Sequence, residues 1–264
     1  MTLLVVNRAL YQSASQAGTR LAIAESTSTM KSRPPSNRLL EVLPRLQTRQ
    51  MLDQCEGVEL KIGEVLYQPD ARIRHVYFPT NSFISLMIPV DGTSNLEVVL
   101  VGNEGMLGTP LILGVNTSPL RAIVQGKGLA WRMTGIAFSR ELGRSEALRR
   151  GLHRYLQVRM CQLAQAAACT RFHLVEQRLA RCLLMAQDRS NSAQFHATHE
   201  VLAYMLGVRR VGVTKAAKML QTRRLIQYHR GDIMILDRVG MEAAACGCYR
   251  VDREMYDALL VAPG

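Results

Sequence analysis

Between Val58 and about Met133 apolar and polar residues alternate in short runs, VELKI, EVLYQ, HVYFP, FISLMIPV, NLEVVLV, LRAIVQ and LAWRM. Alternation with period two buries one face of a strand. Gly63, Pro69-Asp70 and Gly126-Lys127-Gly128 supply the turns between runs. Many short strands at this spacing predict an all-β roll, sandwich or barrel. Glu104 to Asn116 (EGMLGTPLILGVN) loses the alternation and carries three glycines. It is expected to form a short helix or turn inserted between strands, where a small ligand could sit.

After Phe138 the period changes. Leu142, Leu148, Leu152, Tyr155, Leu156, Leu163 and Ala167 recur at spacings near three and four as far as Cys169, which predicts one long helix. Its length suits pairing with a second copy, so Leu148, Leu152, Tyr155, Leu156 and Leu163 are the expected dimer interface. A helix over His173–Gln187 follows. Thr198 is then a candidate N-cap for a stripe of Val201, Leu202, Met205 and Leu206, which Gly207 interrupts. A second stripe, Val213, Ala216, Ala217 and Leu220, leaves Arg209, Arg210, Thr214, Lys215 and Lys218 pointing outward. Helix, tight turn and basic helix form a helix-turn-helix pattern, whose second helix enters a DNA major groove. Gln227 to Arg238 (QYHRGDIMILDR) carries a Gly-Asp turn between two short runs, as a two-stranded wing requires. More helix is expected from Gly240 to Leu260, and a first short one at Asn37–Leu43. Residues 1–36 have no sustained period and are expected to be a disordered tail, with Met30 a candidate start.

Charge sharpens this picture. The chain of 264 residues carries a formal charge of +12, and the excess is local. Residues 198–238 hold eight Lys and Arg against three Asp and Glu, whereas 55–135 are nearly balanced. A basic module joined to a neutral one fits a polyanion-binding unit attached to something else. No apolar run approaches the ~20 residues of a membrane span, so no membrane partner and a cytoplasmic location are expected. The six cysteines, none in a C-x-x-C pair, fit a reducing compartment.

A β-roll, a long helix and a winged helix-turn-helix in this order resemble the Crp/Fnr family of bacterial transcription regulators. So does the local text, HVYFPTNSFISL, VGNEGMLG, VEQRLARCLL, MLGVRR and RGDIMILDR. The resemblance implies an α+β chain with four parts: a tail over 1–36, a cyclic-nucleotide-binding-like jelly roll acting as sensor over 37–137, a dimerisation helix over 138–170, and a winged helix-turn-helix over 171–264. It implies a homodimer on double-stranded DNA with a two-fold symmetric operator, and leaves RNA polymerase as a further partner. The DNA-binding residues become Thr198, Arg209, Arg210, Gly212, Thr214, Lys215, Lys218 and, in the wing, Arg230. The family's base-reading Arg, acidic residue and second basic residue fall on Arg210, Val211 and Lys215. Val211 cannot accept a hydrogen bond from a cytosine amino group, so the operator is expected to differ from the best-known family consensus.

The family's cyclic-nucleotide cassette falls on Glu104, Gly105, Met106, Leu107, Gly108 and Arg121, which are the effector-pocket candidates. Met106 stands where a ribose-binding Glu is needed, and a thioether accepts hydrogen bonds only weakly. Loss of cyclic-nucleotide binding is expected, with no cofactor and no metal. The family's iron-sulfur branch needs several cysteines near the roll, and Cys55 is alone there. His75 as a haem ligand is weaker than His75 as an ordinary strand residue. Cys246-Gly247-Cys248 with His196 or His199 would make a metal or redox site only if they met in space, so helix packing is the expected role. An enzyme lined by Glu104 and Arg121, or a signal-binding interaction protein, are rival readings. The chain offers no nucleophile motif, paired catalytic carboxylates or P-loop, so it is not expected to be an enzyme.

Overall fold

Asn37 anchors the first helix among the described residues. Its Oδ1 accepts from the Leu40 amide and caps α1 (Arg38–Glu41), while its Nδ2 donates to the carbonyls of Pro79 and Gly105, each at 2.8 Å. One buried amide thus ties the first helix to two loops of the domain that follows. This computed structural model describes residues 36–261 apart from 91–93, 191 and 193; the expected tail and Met30 lie outside the described residues.

After α2 (Arg45–Leu52) come β1 (Glu56–Leu60), β2 (Val65–Tyr67), β3 (His75–Pro79), β4 (Phe83–Val90), β5 (Ser94–Val101), a 3-10 turn at Thr109–Leu113, β6 (Arg121–Gly126) and β7 (Gly128–Thr134). The expected strands and the expected insertion are therefore present. They pair antiparallel into two sheets, ordered β1-β7-β3 and β2-β6-β4-β5. In β6 alternate residues Ala122 and Val124 are fully buried, as period-two patterning requires. They join Val76, Phe78, Ile84, Met106 and Met133 in the core of the roll.

The long helix is two. Thr134 caps α3 (Gly135–Arg144), and Ser145, at φ −120° and ψ 107°, leaves the helical region and caps α4 (Glu146–Phe172) by accepting from Leu148 N. A serine that bonds to the backbone on its own account competes with a continuous helix, and apolar spacing passes through such a break unmarked. The expected boundaries of 138 and 170 shift accordingly. The expected dimer seam is also corrected. Leu148, Leu152 and Tyr155 are at most 1% exposed within a single chain and belong to the core of the roll, and half-buried Leu156 packs against it. Of the five residues only Leu163 is exposed.

The remainder comprises α5 (Val175–Ser190), β8 (Gln194–His196), α6 (His199–Leu206), α7 (Arg210–Thr222), β9 (Ile226–His229), β10 (Asp232–Ile235), α8 (Arg238–Ala244) and α9 (Cys248–Tyr256), with a closing π-helical turn at Asp257–Val261. A second core gathers α5 to α8 around Leu179, Leu183, Leu202, Val213, Leu220, Ile233 and Met241. The wing gains β8 as a third strand, in the order β8-β10-β9. The C-terminal part does not keep to itself, because Tyr256 and Leu260 enter the core of the roll and Tyr256 Oη donates to the Glu104 carbonyl at 2.9 Å.

The two cores are also bridged by charge. Arg189 Nε of α5 donates to Glu104 Oε1 at 2.8 Å, and Arg159 of α4 lies 4.0 Å from the same oxygen, all three residues being nearly inaccessible. Removing one partner of a buried pair leaves an uncompensated charge, at a cost of about 3–5 kcal/mol. Glu104→Ala is therefore expected to lower the melting temperature strongly by calorimetry, whereas an unchanged transition would place Arg189 in water.

Candidate nucleic-acid interface

Thr198 caps α6 by accepting from Val201 N, and Gly207 ends it in the left-handed region at φ 61° and ψ 42°. A left-handed C-cap is the position a glycine occupies without strain. The chain then turns through Val208 into α7. Val213, Ala216, Ala217 and Leu220 face the core, while Arg209, Arg210, Thr214, Lys215 and Lys218 are exposed. Thr198 acts as a cap, and Gly212 closes the first turn of α7 by donating its N–H to the Arg209 carbonyl. Thr198 shapes the motif through its side-chain hydroxyl and Gly212 through its backbone N–H.

Arg209 occupies the N-cap position of α7 with no side-chain cap bond. The amides of Arg210 and Val211, the first two of this 13-residue helix, have no hydrogen-bond partner among the described residues and are open to an acceptor such as a phosphate oxygen. None of Arg209, Arg210, Lys215, Lys218 and Arg230 forms an ion pair among the described residues, whereas Arg223 is held by Glu176 at 3.1 Å. The basic face is therefore available to an outside anion.

The wing packs directly behind it. The hairpin loop is Arg230-Gly231, both at positive φ (50° and 95°), and Asp232 already pairs with His229. The turn thus lies one residue earlier than the expected Gly-Asp, as the primed turns that match strand twist demand. It places Arg230 at the tip.

Sequence reasoning considered His199 only as a partner for Cys246 and Cys248 and missed that it joins α6, α7 and the wing. Its ring stacks on Tyr228 of β9 at 4.5 Å and 15°, and its Nδ1 lies 3.0 Å from Thr214 Oγ1 of α7. Burial, with a smaller contribution from the Arg210 charge, lowers its pKa and favours the neutral ring. Thr214 in turn donates to the Arg210 carbonyl. Two further exposed side chains on α7, Val211 and Met219, are of the apolar kind that meets a thymine methyl in the major groove.

The effector-pocket candidates are occupied by the protein itself. Tyr155 of α4, fully buried, places its Oη to accept from Met106 N at 3.1 Å, and a Cβ on Gly105 would sit 2.0 Å from that oxygen. Met106 and Leu107 are buried, Gly108 at φ 110° lies against Val76 and Tyr67, and Glu104 is engaged by Arg189. Arg121 opens β6 opposite Met87, its Nε buried without a hydrogen-bond partner among the described residues. A separate cleft of about 90 Å³ between the Glu104 loop, α5 and α9 is well below the ~300 Å³ at which ligand pockets begin.

Of the residues considered as metal ligands, only Cys246 and Cys248 come together with other candidate ligands among the described residues. His75 lies edge-on to Tyr77, and burial, chiefly, lowers its pKa. Burial pushes the Cys55 thiol up to about 12. His196 bonds to Asp232 at 2.9 Å and His199 to Thr214, so neither meets Cys246 or Cys248. Those two cysteines instead converge with Cys169 and His173, the four ligand atoms lying within 4.8 Å of one another.

Comparison with known proteins agrees with this architecture. Residues 177–244 match the family model of the Crp-like helix-turn-helix domain. Among solved structures, FixK2 from Bradyrhizobium japonicum superposes with a TM-score of 0.62 at 12% identity, covering 73% of this chain and 98% of its own. A CRP-family transcriptional regulator from Thermus thermophilus gives 0.60 at 17%, covering 71% and 96%. The c-di-GMP-responsive global regulator CLP from Xanthomonas campestris gives 0.57 at 14%, covering 74% and 100%. No curated protein matches the chain in sequence. No helix among the described residues is long and apolar enough to cross a membrane.

Proposed function

From a chain whose residues 177–244 form a Crp-like helix-turn-helix domain on a Crp/Fnr-type fold, we propose a sequence-specific transcription regulator that binds a two-fold symmetric operator as a homodimer. The observation that carries this reading is the exposed, unpaired basic face of α7 with Arg230 of the wing beside it. Arg210 reads a base edge from the N-terminal turn of the recognition helix, while Arg209, Lys215, Lys218 and Arg230 meet base edges or phosphates along the groove. Footprinting of the purified protein on genomic DNA is expected to return a pseudo-palindromic site. Binding that is wholly insensitive to sequence would overturn the proposal.

Dimerisation uses the second half of α4. Leu156, Met160, Leu163 and Ala167 follow one another at spacings of four, three and four, and Met160 and Leu163 are 65% and 43% exposed. That is the a/d spacing of a coiled-coil seam, displaced toward the DNA-binding end from the residues first expected.

The roll does not take a cyclic nucleotide. Tyr155 fills the space at Gly105, Met106 offers no carboxylate, and Glu104 is committed to Arg189. A ligand that binds only the folded state must raise its stability by mass action. Cyclic AMP and cyclic GMP are expected to change neither the melting temperature nor DNA affinity; micromolar binding of either by titration calorimetry refutes this.

A further inference from the structure

Four side chains from two distant stretches of sequence meet where α4 passes into α5. Cys169 lies in the last turn of α4 and His173 is its C-cap, four residues on and therefore on the same face. Cys246 and Cys248 flank Gly247 at the turn between α8 and α9. The three cysteines are at most 4% exposed and form a cluster of their own, apart from the two main cores. All six cysteines of the chain are free thiols.

We propose that Cys169, His173, Cys246 and Cys248 form a structural site for one Zn²⁺ ion. Zinc favours four ligands from thiolate and imidazole in a tetrahedron. With Zn–S near 2.3 Å and Zn–N near 2.0 Å, the ligand atoms of such a tetrahedron stand roughly 3.5–3.8 Å apart. Here Cys169 Sγ and Cys246 Sγ are 3.5 Å apart, Cys248 Sγ and His173 Nδ1 are 3.5 Å apart, and no pair exceeds 4.8 Å. A disulfide needs about 2.05 Å between sulfurs, and ligand atoms this close leave no room for the bridging sulfides of an iron-sulfur cluster. Packing of small apolar groups does not account for the polar neighbours. Gln165 Nε2 donates to Cys248 Sγ at 3.0 Å, the type of outer-shell bond that steadies a ligating thiolate. Three thiolates around Zn²⁺ leave one net negative charge.

The ion would pin the end of α4 to the α8–α9 turn. It would thereby fix the angle at which the DNA-binding unit leaves the helix proposed to pair the two copies. Binding of a metal to the folded state only is folding free energy.

The test is metal analysis of the full-length protein, purified under reducing conditions after growth with zinc, followed by exchange to Co²⁺. One Zn²⁺ per chain is expected, and the Co²⁺ form is expected to show the intense visible bands of a tetrahedral thiolate site. Cys246→Ser and Cys248→Ser should each weaken the metal by more than the ~10–100-fold that an outer-shell partner is worth. Cys161→Ser, on α4 with Cys169 but outside the cluster, should keep one ion. His173→Cys should keep the tetrahedral spectrum with stronger charge-transfer bands, so a loss seen in the serine variants is not mere misfolding. Wild-type protein that takes up neither ion, or that carries a Cys169–Cys246 disulfide in place of metal, overturns the proposal. Metal content is read without DNA, so failure of operator binding leaves this inference standing.

Discussion

Exchange of Met160 and Leu163 for glutamate is expected to yield a folded monomer that no longer holds two half-sites at once. Both side chains are exposed on the single chain, so charging them costs the isolated fold little. In a paired seam the same carboxylates would be buried without partners, at several kcal/mol by analogy with broken buried pairs. Operator affinity falls further than dimer affinity alone indicates, because the second half-site is bound at the effective concentration set by the first. Leu152→Ala makes the opposing control. Leu152 is fully buried against the roll, and truncating it should cost about 2–5 kcal/mol of folding stability. Light scattering and thermal unfolding separate the two. A glutamate variant that remains dimeric at micromolar concentration removes this face from the interface, and a Leu152→Ala variant that melts like the parent contradicts its placement in the core.

Those two substitutions also mark the limit of what the sequence discloses. Local pattern located every strand of the roll, the caps at Thr198 and Gly207, and the outward face of α7, because each depends on residues within a few positions of one another. The stripe along α4 was visible as well, but its direction was not. An apolar stripe states that something covers it, and only the tertiary arrangement of Leu43, Met106 and Phe138 in the same core as Leu148, Leu152 and Tyr155 decides that the cover is the chain's own roll. Glu104 illustrates the same limit. Its position in a glycine-rich loop resembled a ligand site, whereas its partner Arg189 lies 85 residues away. The cysteines are the sharpest case. C-x-C at 246–248 was legible, yet its partners Cys169 and His173 precede it by more than seventy residues, and spacing alone favoured nearer histidines. The role of His199 between α6, α7 and the wing is not legible in sequence, since its stacking on Tyr228 requires the hairpin to fold back on α6.

On the recognition helix, loss of Arg210 and loss of Lys218 are expected to have different signatures. Arg210 is the first residue of α7, exposed and free of ion pairs among the described residues. The N-terminal residues of a recognition helix contact base edges, and the planar guanidinium fork matches the O6 and N7 acceptors of guanine. Thr214 steadies this turn by donating to the Arg210 carbonyl, so the side chain projects from a fixed backbone. Arg210→Ala should cost about 1–3 kcal/mol per half-site and relax preference at one base pair, with weak non-specific binding nearly intact. Lys218 lies two turns further along the exposed face, where a flexible ammonium suits a phosphate better than a base edge. Lys218→Ala should weaken specific and scrambled duplexes alike and reduce the slope of log affinity against log salt by about 1 per subunit. Competition titrations on both duplexes across a salt series distinguish the two outcomes. Equal weakening of both duplexes by Arg210→Ala would make Arg210 a phosphate contact and move base reading along α7 toward Thr214 and Lys215.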